Sequence, residues 1–192
     1  MIVLGLTGSI GMGKSTTADF FRQESVPVFD ADATVHDLYQ GKAVAHVERR
    51  FPGTAIDGRI DRQALATALM RDPSSFSDLE RIIHPLVRQA ELDFIDGHKR
   101  HGASVVVLDI PLLFESGGDE LCDKVAVVTA PKAVQRLRVM ARPGMTDEKF
   151  EQMLSRQMSD ADKRDRADFL IFTDKGMNAA RQQVRDILHA LT

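Results

Sequence analysis

The feature that most constrains this chain lies at its start. The apolar run Ile2-Val3-Leu4-Gly5-Leu6 leads through Thr7 into Gly8-Ser9-Ile10-Gly11-Met12-Gly13-Lys14-Ser15. That order is G-x-x-x-x-G-K-[ST], a phosphate-binding loop set where a buried strand runs into a helix. The glycines let the backbone turn tightly, so that successive N–H groups point into one concavity and meet phosphate oxygens. The helix that follows begins near Lys14 and adds the positive end of its dipole. Lys14 can then reach β- and γ-phosphates, and the Ser15 hydroxyl can ligate Mg²⁺.

The pattern downstream fits that start. Short apolar runs at Ile2–Thr7, Val26–Phe29, Ser104–Leu108, Lys124–Thr129 and Phe169–Phe172 read as strands. Helical patterns lie between them, including Lys14 to about Gln23 and a last helix from about Asn178 to Leu191. Strands of four to six residues separated by helices predict an α/β fold, a parallel sheet between helices. In such sheets ligands bind beyond the carboxyl ends of the strands, where Gly8–Ser15, Asp30/Asp32 and Asp109 fall. From about Ala33 to Gly102 the pattern is helical without a convincing strand, with helices expected at 33–40, 43–50, 62–70, 74–83 and 86–98. Seventy residues exceed one crossover, so this stretch reads as a helical insertion within a single domain. Arg142-Pro143-Gly144 is a turn signal, and Thr146 with Asp147 and Glu148 is a helix start. A lid at about 138–158 is the reading for this segment.

Composition excludes several classes. A chain of 192 residues supports one substantial core. No apolar run approaches the ~20 residues of a membrane span, and no export signal opens the chain. Cys122 is the single cysteine, which suits a reducing, cytoplasmic setting. Net charge is −3, yet Pro131–Arg166 holds nine Lys/Arg against six Asp/Glu. A positive segment in a mildly acidic protein points to a small polyanion. With no Trp and only Tyr39, base-stacking platforms are few, so no nucleic-acid partner is expected. No obligate protein partner or membrane association is evident either.

The remaining acids and arginines carry chemistry. A carboxylate at Asp32, at the end of the second strand, can accept the proton of an attacking hydroxyl. The alternative is that Asp30 and Asp32 cap the helix that follows. Asp109 follows an apolar strand and can hold Mg²⁺ directly or through water, or else serve as a turn residue. Arg138 and Arg142 are four apart and share a helix face; with Arg136 they can close over a triphosphate. His84-Pro85 can end one helix and start the next.

Taken together, these segments resemble the dephospho-CoA kinase family over essentially the whole chain. The resemblance rests on Gly5 to Thr16, Val26-Pro27-Val28-Phe29-Asp30-Ala31-Asp32, Ile83-His84-Pro85 and Asp109-Ile110-Pro111-Leu112-Leu113-Phe114-Glu115. Gln135-Arg136-Leu137-Arg138 with Arg142, Arg156-Gln157-Met158, Lys163 and Ala167-Asp168 follow in the family's order. It implies a kinase core with a helical substrate insertion and a lid, acting with Mg²⁺ on ATP and dephospho-CoA. The transfer would go from the γ-phosphoryl of ATP to the ribose 3′-hydroxyl, the last step of coenzyme A synthesis. By position, Asp32 is the base, with Lys14 and Arg142 as its catalytic companions. Gly8, Gly11, Met12, Gly13, Lys14, Ser15, Thr16, Arg138 and Arg142 bind ATP. His84, Leu112, Leu113 and Phe114 lie with Asp32 on the acceptor side, and Ser15 and Asp109 are the metal ligands. The chain departs from the family pattern at Val35-His36 and around Thr173.

The nearest rival is another P-loop kinase acting on a nucleoside or nucleotide, which would not explain Asp109–Glu115 together with His84-Pro85. A GTPase is disfavoured because neither D-x-x-G after the third strand nor N-K-x-D is present.

Overall fold

A computed structural model describes residues 1–192 in full. Along the chain the elements are β1 (Ile2–Thr7), α1 (Lys14–Gln23), β2 (Val28–Asp30), α2 (Ala31–Leu38), α3 (Val44–Arg50), β3 (Ala55–Ile56), β4 (Arg59–Ile60), α4 (Arg62–Arg71), α5 (Phe76–Arg100), β5 (Val105–Asp109), β6 (Lys124–Thr129), α6 (Lys132–Met140), α7 (Asp147–Leu154), α8 (Asp160–Asp165), β7 (Phe169–Phe172) and α9 (Met177–Leu191). They divide into two units, one of Met1–Phe29 with Gly97–Thr192 and the other of Asp30–Asp96. No helix is long and apolar enough to cross a membrane.

The first unit is built on a five-stranded sheet of order β2-β5-β1-β6-β7. β1 is central, pairing in parallel with β5 and with β6, and β6 pairs in parallel with β7. Its burial explains its sequence. Helices cover both faces of a parallel sheet, so a central strand has no wet side and reads as a continuous apolar run. Leu4 and Leu6 have no exposed surface, and Val106–Leu108 of β5 are equally enclosed. Phe20, Phe21 and Ala18 of α1 pack on this sheet with Ala180, Val184 and Ile187 of α9. Each phenylalanine buried this way contributes roughly 1.5–3 kcal/mol. Two carboxylates fix the register at the amino-terminal edge: Asp123 accepts the Val3 N–H at 2.7 Å, and Asp168 accepts the Val125 N–H at 2.8 Å. Burial raises the Asp168 carboxyl, but Lys124 and that N–H outweigh it and hold it below the ordinary range.

The second unit, Asp30–Asp96, closes around Leu38, Val47, Phe51, Leu65, Leu69 and Ile83. It corrects two expectations from the sequence. A strand pair is present after all: Ala55–Ile56 and Arg59–Ile60 form an antiparallel hairpin. Asp57 and Gly58 turn it with φ of 50° and 76°, the left-handed pair that a two-residue hairpin loop requires. The strands are too short to show alternation, which hid them. The second correction concerns His84-Pro85. Instead of separating two helices, it lies inside the single helix α5. An internal proline costs a helix about 3 kcal/mol. Leu79, Ile82, Ile83, Leu86 and Val87 flank it and pack into one core, and burying that row on one continuous helix outweighs the lost bond.

Near the carboxyl end, helix α7 is confined to Asp147–Leu154, shorter than the segment expected, with Thr146 accepting the Lys149 N–H as its cap. A further short helix, α8, follows it and was not expected from the pattern.

Candidate active site

The loop between β1 and α1 wraps back on itself, the Met12 N–H reaching the Ser9 carbonyl at 3.1 Å. Gly11 and Gly13 have φ of 79° and 96°, where a side chain is strained. Space is lacking as well at Gly11, where a Cβ would lie 2.5 Å from Val139 of α6. Met12 is buried with Gly8, Ser9 and Gly11 of the loop, 1% exposed and packed into the sheet core. Gly13 caps α1, leaving the N–H groups of the first helical turn, from Lys14 to Thr16, without helical partners. Ser15 is exposed on that turn.

Lys14 does not point idly into solvent. Its ammonium pairs with the Asp109 carboxylate at 2.5 Å, joining the phosphate loop to the carboxyl end of β5. Asp109 is 4% exposed, a buried carboxylate held by a cation. The sequence predicted both residues for the same chemistry, and the fold brings them into contact across 95 positions of chain.

On the other flank, a pocket of about 260 Å³ opens beside the loop. Gly11, Gly13 and Thr16 form one wall, Phe20 and Ala180 its apolar floor, and Arg138, Arg142 and Thr173 the polar side. Arg138 is committed here. It donates to the Thr173 hydroxyl and to the Thr173 carbonyl, each at 2.8 Å. The same hydroxyl donates to the Met12 carbonyl at 2.7 Å. Thr173 thus ties the strand end of β7 to both the loop and the arginine, though the sequence marked it only as a departure from pattern. Arg142 is exposed at the pocket's edge. Arg136, grouped with these two from sequence, is engaged elsewhere, pairing with Asp147 at 2.5 Å.

The segment after Asp109 splits by burial. Leu113 has no exposed surface and packs beneath Gly5 and Gly118, so its side chain is in the core. Phe114 is 8% exposed, with the Arg166 guanidinium 4.2 Å above its ring. Leu112 alone of the three presents apolar surface, at 39% exposure.

In the second unit, Asp30 is the cap of α2, accepting the Ala33 N–H at 2.9 Å. Asp32 is exposed in the first turn and is not the capping residue. His84 is exposed on α5. His36 joins two neighbours of its own unit, its Nδ1 at 2.9 Å from Arg62 and its Nε2 at 2.8 Å from Gln40. Arginine can only donate, so Nδ1 is the accepting nitrogen.

Residues 2–179 match the family model described as dephospho-CoA kinase. A dephospho-CoA kinase of Mesorhizobium japonicum is 54% identical over 191 residues, covering 100% of this chain and 97% of that one. Another, from Rhodopseudomonas palustris, is 52% identical over 190 residues, covering 99% of this chain and 96% of the relative. Among solved structures, TT1252 from Thermus thermophilus superposes with a TM-score of 0.84 at 34% identity, covering 100% of this chain and 98% of its own. Dephospho-CoA kinase from Campylobacter jejuni has the same fold, with a TM-score of 0.70 at 22% identity and coverage of 99% and 97%. A match running from β1 into α9, joined to relatives more than half identical along their whole length, leaves one conclusion: this chain is a member of the dephospho-CoA kinase family.

Proposed function

We propose that this chain passes the γ-phosphoryl group of ATP to the ribose 3′-hydroxyl of dephospho-CoA, giving CoA and ADP. The observation that carries the reading is the Lys14–Asp109 contact at the carboxyl edge of the sheet. It puts the loop's cation and a buried carboxylate at one point, the pair that P-loop enzymes use on nucleotide phosphates and their Mg²⁺.

In this reading the N–H groups of Gly11 and of Gly13–Thr16 hold the phosphates, and Lys14 turns from Asp109 to the β- and γ-phosphates when nucleotide binds. Arg142 offers its guanidinium to charge spreading over the transferring group. The adenine has the apolar floor of the pocket beside the loop for its ring. Asp32, whose neighbour Asp30 does the capping, is open to take the proton of the 3′-hydroxyl as that oxygen bonds the γ-phosphorus. The bond from that phosphorus to the β,γ-bridging oxygen breaks, and ADP carries the electron pair away. His84 and Leu112 are the acceptor-side groups with exposed surface.

The donor set suits Mg²⁺: the Ser15 hydroxyl and the Asp109 carboxylate are hard oxygens flanking Lys14, and this ion takes few protein ligands beside phosphate and water. When bound, it supplies charge neutralisation on the phosphates. A cytoplasmic setting belongs to the same reading, resting on the lone cysteine.

The test is to incubate the protein with Mg-ATP and a panel of acceptors, and to identify products by mass. Dephospho-CoA gains one phosphoryl group if the reading holds. Turnover of nucleosides or nucleotides alone would instead establish the rival kinase.

A further inference from the structure

The phosphate loop is held by two glutamines from distant parts of the chain. Both polar groups of Ile10 are engaged by side chains. Gln135 of α6 donates its Nε2 to the Ile10 carbonyl at 2.8 Å, and the Gln157 Oε1 accepts the Ile10 N–H at 3.1 Å. These amide orientations are fixed by their partners, because a carbonyl only accepts and a backbone N–H only donates.

The consequence follows from peptide planarity. The C=O and N–H of one trans peptide point in opposite directions. Fixing the Ile10 carbonyl on Gln135 therefore fixes where the Gly11 N–H points. Fixing the Ile10 N–H on Gln157 sets the preceding peptide, whose Ser9 carbonyl in turn receives the Met12 N–H. Two successive peptide planes of the loop are thus oriented before any phosphate arrives.

Gln157 can do this because its own backbone is anchored. The next N–H, that of Met158, donates to Glu115 Oε1 at 2.7 Å. Glu115 is paired with Lys163 at 2.9 Å, and Lys163 has no exposed side-chain surface. Asp160 accepts from the Thr129 hydroxyl at 2.8 Å, tying the same stretch to the end of β6. None of these groups has a part in the chemistry proposed above. Gln135 is itself 5% exposed.

We propose that Gln157, with Gln135, is a positioning residue for the phosphate loop, presetting its N–H groups for nucleotide phosphates. The inference rests on the reading that this loop binds ATP. It deepens that reading by assigning nucleotide affinity to a residue outside the loop.

The test compares wild type, Gln157→Met and Gln135→Met with MgATP and dephospho-CoA. Methionine keeps length and volume but cannot make either bond. Each variant should raise KM for MgATP roughly fivefold to tenfold, the scale of one lost hydrogen bond to a positioned group. The Kd for MgADP by calorimetry should rise in the same ratio, while kcat and KM for dephospho-CoA stay within twofold. The double variant should lose less than the product of the two single effects, since one released peptide already frees the loop. Thermal unfolding confirms that each variant is folded at the assay temperature, and either one suffices. Unchanged KM for MgATP, or an equal rise in both KM values, overturns the proposal while leaving the kinase reading intact. A wild-type protein that fails to phosphorylate dephospho-CoA refutes the kinase reading instead.

Discussion

Replacing Thr173 by valine removes one hydroxyl and keeps the branched shape at the end of β7. That hydroxyl makes two bonds, donating to the Met12 carbonyl at 2.7 Å and accepting from Arg138 at 2.8 Å. A neutral bond of the first kind is worth about 1 kcal/mol net, and a bond to a charged donor about 1.5–3 kcal/mol. Arg138 is half-buried, so water recovers part of the loss on its side, while Met12 is enclosed. Arg138 also keeps the Thr173 carbonyl at 2.8 Å, and the backbone bond from the Thr173 N–H to Thr129 is untouched. The net cost should fall at about 1–2.5 kcal/mol. For a chain of this length that lowers Tm by roughly 2–10 °C. The assay is thermal and urea unfolding of Thr173→Val beside Thr173→Ser, which keeps the hydroxyl and should recover most of the stability. KM for MgATP should rise severalfold in the valine variant alone, because the loop loses its tie to Thr173 and the pocket's arginine loses one of its two bonds there. A valine variant with Tm within about 1 °C of wild type would refute the reasoning, since it would show that these bonds merely replace equivalent ones to water.

Three further outcomes are expected. Lys14→Ala should reduce turnover by orders of magnitude with the fold retained by circular dichroism, and near-normal turnover would remove the phosphate-loop assignment. Asp32→Asn should still bind Mg-ATP yet lose roughly 10²-fold or more in kcat under single turnover; full activity would send the search for the base elsewhere. Glu115 supplies a pH dependence. Burial raises its carboxyl, but Lys163 and the Met158 N–H outweigh burial and leave it below its ordinary value of 4.5. Its contribution is therefore complete above pH 4.5 and is lost as pH falls through the lower folded value. Between pH 5.5 and 3.5, Glu115→Gln should lose less stability than wild type in urea titrations; parallel losses would show that the pair is not linked to acid unfolding.

The sequence reached the fold through local rules. Ile2–Thr7 announces a central strand because a strand covered on both faces must be apolar throughout, and β1 is that strand. Gly8 to Ser15 announces its loop because only glycine tolerates the φ found at Gly11 and Gly13. Asp109 was legible as a strand-end acid, and the fold brings it to Lys14. Where local rules compete with burial they failed. Pro85 argued for a break, but a row of apolar residues on both sides kept α5 whole. Strands of two residues are too short for any period, so the hairpin turned by Asp57-Gly58 went unread.

What only the tertiary structure decided is how polar side chains are spent. Thr173, Gln135, Gln157 and Lys163 carry no local signal of their partners. Their contacts join positions far apart in the chain, such as Thr173 with Met12 across 161 positions and Gln157 with Ile10 across 147. Periodicity reports which face of an element is dry, and a motif reports backbone geometry over a few residues. Neither specifies which carbonyl a buried amide will meet, because that depends on the sheet order β2-β5-β1-β6-β7 placing chain ends side by side. The loop that would meet phosphate was written in the first fifteen residues. The side chains that hold it in shape had to be brought there by the fold.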